Sequence, residues 1–212
     1  MKYIGLFGGT FNPIHIGHLT LAIKVYEDFS LDELIFIPSK IPPHKSLGTP
    51  PEKRYEMVKI AIGNLKKYNF KVSDVELKSK GVSYTYKTLL HYMDLYQRDS
   101  ISFVCGSDIF ATIEKWEKWN ELFNLANFIV VNRKEMPFEV MCNMIPSELR
   151  KRIVAKEEFP NYLYGKIILH KMDVIEISST NIREKLGGNE MPKFLTKDVY
   201  NYICKNKLYQ EV

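Results

Sequence analysis

The chain has 212 residues, of which 45% are hydrophobic and 26% are charged, a composition typical of a globular protein with one substantial core or two small ones. The 30 basic and 25 acidic residues leave a formal charge of +5, which suits anionic ligands but is too diffuse to indicate nucleic-acid binding. The three cysteines lie far apart and form no C-x-x-C pair, so the sequence supports neither a disulfide framework nor a zinc ribbon.

We expect neither a targeting segment nor a membrane-spanning segment in this sequence. No apolar stretch approaches the ~20 residues that a membrane helix needs. Met1 and Lys2 lead directly into an apolar strand, which leaves no room for a signal peptide. We therefore expect a cytoplasmic protein that has neither a membrane nor a nucleic acid as its partner.

The N-terminal part of the chain predicts a strand, a helix and a second strand. The apolar run 3–7 leads through Gly8-Gly9 to a helix that begins near His18 and carries apolar residues at helical spacing. The apolar run 34–37, which Pro38 ends, is typical of a second buried strand. At this length the three elements form a βαβ unit, whose crossover we expect to be right-handed.

Strand and helix patterns alternate along the rest of the chain. Strands are predicted at 70–77, 101–105, 128–131 and 167–169. Helices are predicted at 52–65, from 83 or 85 through 93, and over Trp116 and Trp119 to about 125. Further helices are predicted through 149–153, after 178 and through 195–203. The continuously apolar strands favour a Rossmann-like α/β fold, a doubly wound and mostly parallel sheet with helices on both faces. We expect a single domain, 1–212, with a C-terminal helical part from about residue 178 packed on it.

The glycine turn after the first strand is the first feature that indicates chemistry. A strand that ends in glycines and enters a helix directs backbone N–H groups and the positive helix end toward one point, which suits a phosphate. His15 and His18 flank that point, and their spacing favours a functional pair over a turn residue and a helix cap. Zinc is the weakest interpretation, since no further ligand lies nearby in the sequence. The dinucleotide fingerprint and the Walker lysine are both absent.

Two motifs carry a family resemblance. The segment 9–19, GTFNPIHIGHL, resembles the (H/T)-x-G-H signature of the nucleotidylyltransferase superfamily, and 177–183, ISSTNIR, resembles its I-S-S-T-x-I-R signature. Within that superfamily the chain is similar to the bacterial nicotinate-mononucleotide adenylyltransferases. Four further stretches support this similarity: PPHK at 42–45, SYTYKTL at 83–89, GSD at 106–108 and the segment around Trp116. The resemblance covers essentially the whole chain and is weakest between 134 and 166.

The resemblance implies an adenylyl transfer that belongs to NAD biosynthesis. The 5′-phosphate of nicotinate mononucleotide attacks the α-phosphate of ATP in line and expels pyrophosphate, without a covalent intermediate, to give deamido-NAD. Because the attacking oxygen is already anionic, the enzyme has to align two anions and stabilise the developing charge. Mg²⁺ is implied as the metal, held mainly by the phosphates and not by a protein metal site. The expected partners are ATP and nicotinate mononucleotide, and a homodimer is compatible with the sequence.

The resemblance also implies three sets of site residues. The catalytic residues are His15, His18 and Arg183, with His18 on the α-phosphate. The residues implied to bind ATP are Gly8, Gly9, Thr10, Phe11, His15, His18, Gly106, Asp108, Ser178, Ser179, Thr180 and Arg183, of which the last three hold the β- and γ-phosphates. The residues implied to bind the mononucleotide are Gly9, Thr10, Lys45, Thr85, Tyr86, Asp108, Trp116 and Arg133, with Trp116 stacked on the pyridine ring.

Structural roles are the alternatives to these assignments. Capping of the following helix is the alternative for Asp108, Ser179 and Thr180, and core packing is the alternative for both tryptophans. Arg54 is a further candidate to meet incoming phosphates. For the whole protein, the alternatives are a sister transferase that uses nicotinamide mononucleotide or phosphopantetheine, and a non-catalytic nucleotide sensor.

Two positions depart from the family pattern. Asn12 stands where many relatives have aspartate, which removes a negative charge beside the phosphate turn. Glu117 stands where tyrosine is common, and we expect it to point away from an anionic nicotinate.

Overall fold

A computed structural model describes residues 1–42, 48–132, 138–173, 177–186 and 190–209. Within these residues, seven strands form one sheet in the order β3-β2-β1-β4-β5-β7-β6, and every neighbouring pair is parallel. The strands are β1 (Tyr3–Gly9), β2 (Glu33–Pro38), β3 (Phe70–Val72), β4 (Ser100–Gly106), β5 (Asn127–Val131), β6 (Ile153–Val154) and β7 (Ile167–His170). The predicted Rossmann-like, doubly wound sheet is therefore confirmed.

Helices cover both faces of this sheet. They are α1 (Ile16–Asp28), α2 (Pro51–Gly63), α3 (Val75–Lys78), α4 (Thr85–Leu95), α5 (Ser107–Phe110), α6 (Phe138–Met144), α7 (Ser179–Lys185) and α8 (Lys197–Lys205). Short 3-10 turns span Ile113–Lys115, Trp119–Asn124, Ser147–Arg152 and Lys156–Asn161. None of the helices in the described ranges is long and apolar enough to cross a membrane.

Alternate residues of each strand enter two different hydrophobic clusters, because successive side chains of a strand point to opposite faces. In β2, Leu34 and Phe36 join one cluster, while Ile35 and Ile37 join the other. The first cluster is covered by α1, α2, α7 and α8, and the second by α4, α5, α6 and the 3-10 turns that follow β4. Ile182 of α7 is buried in the first cluster, which also includes residues of α1.

The strand order reverses between β1 and β4. After β1 the chain moves outward to β2 and β3, whereas after β4 it moves the other way to β5. Gly9 and Gly106 end these two neighbouring parallel strands, which are paired from Tyr3 with Ser100 to Phe7 with Val104. In open parallel sheets, ligands bind in the crevice at the carboxyl ends of the strands on either side of such a reversal.

Three predicted elements differ from the structure. The strand predicted over 70–77 ends at Val72, because the Ser73 hydroxyl accepts the N–H of Val75 at 3.2 Å and starts α3. The helix predicted over the tryptophans is two 3-10 turns separated by residues 116–118, of which Lys118 has a φ of 50°. The helix predicted through residue 153 is a 3-10 turn, and Ile153 instead begins the edge strand β6, which pairs with β7.

Candidate active site

The end of β1 passes close to two phenyl rings. A Cβ on Gly8 would lie 2.8 Å from the ring of Phe103, and one on Gly9 would lie 2.8 Å from the ring of Phe11. Phe11 has a φ of 45° and is 1% exposed, so a ligand at this turn would meet its backbone and not its ring. The glycines are thus required by packing as well as by the phosphate approach that the sequence predicts.

The carbonyl groups of the turn 9–13 are held by donors from other parts of the chain. The Gly9 carbonyl accepts the Ser39 N–H at 2.9 Å, Thr10 accepts Arg54 Nη1 at 2.7 Å, Asn12 accepts Arg183 Nη1 at 2.8 Å, and Pro13 accepts the Ser179 hydroxyl at 3.1 Å. With its carbonyl oxygens fixed in this way, the turn has a defined backbone conformation. Such a conformation is what a preorganised anion site needs.

His15 and His18 form one unit at the start of α1. His15 occupies the N-cap position, and Nδ1 of His18 accepts the His15 N–H at 3.3 Å. The two ring centroids lie 3.7 Å apart, and the His18 ring meets Phe11 edge-on at 5.1 Å. Since Nδ1 of His18 is an acceptor, the neutral ring carries its proton on Nε2, which makes Nε2 a donor. The alternative of a turn residue at His15 and a helix cap at His18 is therefore met only in part, because His15 holds the N-cap position and the His18 ring accepts its N–H.

The second motif packs against the first. The Arg183 guanidinium donates from Nη1 to the Asn12 carbonyl and from Nη2 to the Thr180 hydroxyl at 3.1 Å. Ser178 is the residue that caps α7, since its hydroxyl accepts the Asn181 N–H at 3.1 Å. The alternative that Ser179 or Thr180 caps this helix is wrong. Ser179 instead donates to the Pro13 carbonyl.

Asp108 lies on the far side of the strand-order reversal. It is exposed in the first turn of α5, directly after β4. Gly106 occupies the N-cap position of α5, so the alternative that Asp108 caps this helix is also wrong. The exposed Asp108 carboxylate thus lies at the carboxyl end of β4.

Trp116 connects to the glycine turn through Phe103. The half-buried Trp116 ring meets Phe103 edge-on at 6.0 Å, and its Nε1 donates to the Thr112 hydroxyl at 3.3 Å. Phe103 is the ring that packs beneath Gly8. Trp119 is also half-buried and packs against the second cluster, whereas Glu117 is exposed.

Thr85 and Tyr86 begin α4 near the Trp119 turn. Tyr84 occupies the N-cap position, which places Thr85 as the first residue of the helix. The Tyr86 hydroxyl donates to Glu121 at 2.9 Å, and the Lys118 ammonium lies 4.6 Å from the centroid of its ring. The Tyr86 hydroxyl is thus engaged with the protein, while the first N–H groups of α4 lie at a helix start.

Arg54 is buried and does not face incoming phosphates as predicted. It is 0% exposed, and its guanidinium donates to the carbonyls of Thr10, Lys40 and Thr49, so the hypothesis that Arg54 meets incoming phosphates is wrong. Burial lowers the pKa of this guanidinium, and burial also raises the pKa of the nearby Glu76 carboxyl. Two further predicted residues, Lys45 and Arg133, lie outside the described residues.

Tyr209 was not indicated by any sequence pattern. Its hydroxyl donates to Oδ1 of Asn12 at 2.6 Å, across a separation of 197 residues. Burial raises the pKa of this hydroxyl to about 12. No local periodicity encodes a contact between the two ends of a chain, so only the folded structure reveals it.

Among the residues that the structure describes, no three His, Cys, Asp or Glu side chains converge to hold a metal ion. The donors around the turn are imidazole, hydroxyl, guanidinium and backbone N–H groups, which match phosphate oxygens better than a hard cation.

Comparison with known proteins places the chain among nucleotide-transferring enzymes. Residues 6–185 match the model of the family described as cytidylyltransferase-like. The chain is 39% identical over 210 residues to a probable nicotinate-nucleotide adenylyltransferase of Clostridium botulinum strain Kyoto, covering 97% of this chain and 98% of that protein. It is 40% identical over 213 residues to a protein of the same name from Clostridium acetobutylicum, covering 99% and 100% of the two chains.

Solved structures of the same fold extend this comparison. The structure is similar to Plasmodium falciparum nicotinic acid mononucleotide adenylyltransferase complexed with NaAD, with a TM-score of 0.76, 23% identity and coverage of 99% of this chain and 98% of that chain. The same enzyme complexed with APC gives a TM-score of 0.74 at 22% identity and the same coverage. At these identities the likeness concerns the fold.

Proposed function

Because the chain belongs to the cytidylyltransferase-like family and, within it, to the nicotinate-nucleotide adenylyltransferases, we propose that it transfers the adenylyl group of ATP to nicotinate mononucleotide. The family resemblance drawn from the two sequence motifs is thereby confirmed. The observation that carries the mechanism is the direct contact between those motifs, through Arg183 on the Asn12 carbonyl and Ser179 on the Pro13 carbonyl. The products are deamido-NAD and pyrophosphate, as NAD biosynthesis requires.

The reaction asks for alignment and charge stabilisation. An oxygen of the mononucleotide phosphate attacks the α-phosphorus of ATP, the bond from that phosphorus to the bridging oxygen breaks, and pyrophosphate leaves with the electron pair. The attacking oxygen is an anion, so no residue has to remove a proton from it. The protein contributes by holding two repelling anions in line and by donating hydrogen bonds to the charge that develops.

His18 and His15 are assigned to the reacting phosphates of ATP. Because Nδ1 of His18 accepts a hydrogen bond, the ring proton is on Nε2. We propose that this Nε2–H donates to the α-phosphate. The His15 ring, whose centroid lies 3.7 Å from that of His18 at an interplanar angle of 31°, supports the same group. The backbone of Gly8, Gly9, Thr10 and Phe11 supplies the remaining contacts at the turn.

Arg183 is assigned to the leaving pyrophosphate. A guanidinium has five N–H donors, and the bonds to Asn12 and Thr180 use two of them. It can therefore keep its hold on the turn while it donates to the β- and γ-phosphates. Ser178, Ser179 and Thr180 lie at the same helix start and complete this end of the ATP site in the proposal.

The mononucleotide is assigned to the opposite side of the strand-order reversal. Trp116 offers a half-buried ring for stacking on the pyridine, and Thr85 offers an N–H at the start of α4 for its carboxylate. Asp108, after Gly106, is placed on ribose hydroxyls. Tyr86, Lys45 and Arg133 stay predicted contacts of this substrate.

The enzyme works on ATP as its metal complex in this proposal. Transfer of this kind uses a divalent metal, and Mg²⁺ suits it because it binds phosphate oxygens and retains several waters. The donors around the turn favour a metal that arrives with the triphosphate. A cytoplasmic location and a homodimer stay predictions.

Isotope labelling tests the proposed reaction. ATP labelled at the α-phosphorus is incubated with Mg²⁺ and nicotinate mononucleotide, and the products are separated. We expect the label in a dinucleotide of the mass of deamido-NAD, and none in pyrophosphate. Label that is released as AMP without a dinucleotide would contradict the proposal.

A further inference from the structure

Tyr209, near the C-terminal end of the described chain, contacts the turn 9–13. Its hydroxyl donates to Oδ1 of Asn12 at 2.6 Å. The hydroxyl also lies near the Thr49 side chain and within the electrostatic reach of two guanidinium groups, those of Arg54 and Arg183. Its ring packs against the first hydrophobic cluster, so the contact is made by a half-buried side chain.

Packing of α8 sets the position of Tyr209. Val199 and Ile203 of α8 are buried in the first cluster. Asn206, just after the helix, accepts a hydrogen bond from the Lys53 ammonium of α2 at 2.7 Å. At the other end of α8, Asp198 accepts one from the Asn64 amide at 2.6 Å. The segment that presents Tyr209 is therefore fastened to α2, the helix that carries Arg54.

Asn12 is held at two different atoms. Arg183 donates to its backbone carbonyl, and Tyr209 donates to its side-chain oxygen. The second bond determines which way the amide faces, because Oδ1 is turned to the hydroxyl and the NH₂ group to the opposite side. Asn12 is 5% exposed, so water offers little replacement for either bond.

We propose that Tyr209 is a positioning residue of the ATP site, which acts through Asn12 to hold the turn 9–13 in its phosphate-binding conformation. The inference rests on the proposed function for the identity of the anion. In this arrangement Tyr209 holds the turn from outside the site, while Arg183 faces both the turn and the leaving group. Loss of the hydroxyl frees the Asn12 side chain and lets the turn adopt other conformations, which weakens its grip on the triphosphate.

A double-mutant cycle tests this inference. Tyr209→Phe, Asn12→Ala and the double variant are compared with the native protein for Mg–ATP affinity by calorimetry and for kcat. We expect Tyr209→Phe to weaken ATP binding about five-fold and to lower kcat about ten-fold, the scale of one lost hydrogen bond to a group that acts on the transition state. In the Asn12→Ala background the same change should have no further effect.

Tyr68→Phe is the matched control. It removes a hydroxyl that donates to Glu27 at the outer surface, so ATP affinity and kcat should stay at native values. Thermal unfolding of every variant separates a positioning role from a structural one. A purely structural role lowers Tm but gives no coupling between Tyr209 and Asn12 in ATP affinity and kcat. Native ATP affinity in Tyr209→Phe, or effects of Tyr209→Phe and Asn12→Ala that multiply, would overturn the inference. A protein that shows the cycle in ATP binding but does not adenylylate nicotinate mononucleotide would refute the proposed function alone.

Discussion

Arg54 donates from Nη1 to the carbonyl of Thr10 over 2.7 Å, and this guanidinium has no exposed surface. Its other nitrogens donate to Lys40 at 3.1 Å and to Thr49 at 3.3 Å. One buried side chain thus joins the turn 9–13 to Lys40 and to Thr49. The Ser83 hydroxyl accepts the Lys40 N–H at 3.0 Å, which extends the same frame to the start of α4.

Arg54→Lys should destabilise the fold. Lysine keeps the charge but has one nitrogen in place of three, so two of the three carbonyls lose a charged donor. We expect the free energy of unfolding to fall by about 2–4 kcal/mol, measured by urea denaturation. Arg98→Lys, a change at an exposed arginine, is the control and should have no measurable effect. Equal stability of the two variants would contradict the role given to Arg54.

His18 can be tested for capping and for phosphate binding separately. His18→Ala removes both roles, so it should lower Tm and reduce turnover by orders of magnitude while the protein still folds. In His18→Asn, the side-chain oxygen can replace Nδ1 as the acceptor of the His15 N–H, but no donor stands where Nε2 was. We expect His18→Asn to recover most of the Tm and none of the turnover. Near-native turnover in either variant would refute the assignment to the α-phosphate.

Trp116→Ala should weaken binding of the mononucleotide and leave ATP affinity little changed. The loss of a stacked aromatic ring costs about 1–3 kcal/mol, or roughly 5- to 150-fold in affinity. Calorimetry with each substrate alone measures the two effects, and Trp119→Ala is the control for lost aromatic packing in the same segment. If Trp116→Ala weakens both substrates equally, the tryptophan has a structural role.

The pair of His170 and Asp28 should make stability depend on pH. The imidazole Nε2 lies 3.0 Å from the carboxylate, but burial outweighs that partner and lowers the pKa of His170 below its ordinary value of 6.5. Below pH 6.5 the unfolded chain therefore binds the proton more readily, and the free energy of unfolding falls with falling pH. His170→Gln should lose this part of the pH dependence between pH 7 and 5. His91→Gln, at an exposed position, should keep it, and identical pH profiles of His170→Gln and the native protein would contradict this assignment.

Much of the fold followed from local pattern. The continuously apolar strands at 34–37 and 128–131 predicted a parallel sheet, and that sheet is observed. The elements that were wrong depend on short-range chemistry that periodicity does not carry. The Ser73 hydroxyl, which accepts the N–H of Val75 at the start of α3, is one example. The left-handed backbone conformation of Lys118, between Trp116 and Trp119, is another.

The candidate site was predicted unevenly for a related reason. Local motifs marked His15, His18 and Arg183, because their spacing is a property of a few consecutive residues. The residues that hold the turn 9–13, such as Arg54 and Tyr209, come from distant parts of the chain. Nothing in the sequence around an arginine or a tyrosine indicates which distant residue it will contact. Arg54 was accordingly assigned to phosphate, and Tyr209 received no role.

The central claim concerns the acceptor of the adenylyl group. Pyrophosphate release is measured with ATP and Mg²⁺ while nicotinate mononucleotide, nicotinamide mononucleotide and phosphopantetheine are offered separately. We predict rapid release with nicotinate mononucleotide, slower release with the nicotinamide form and none with phosphopantetheine. The absence of release with nicotinate mononucleotide, or a clear preference for either of the other acceptors, would contradict the account.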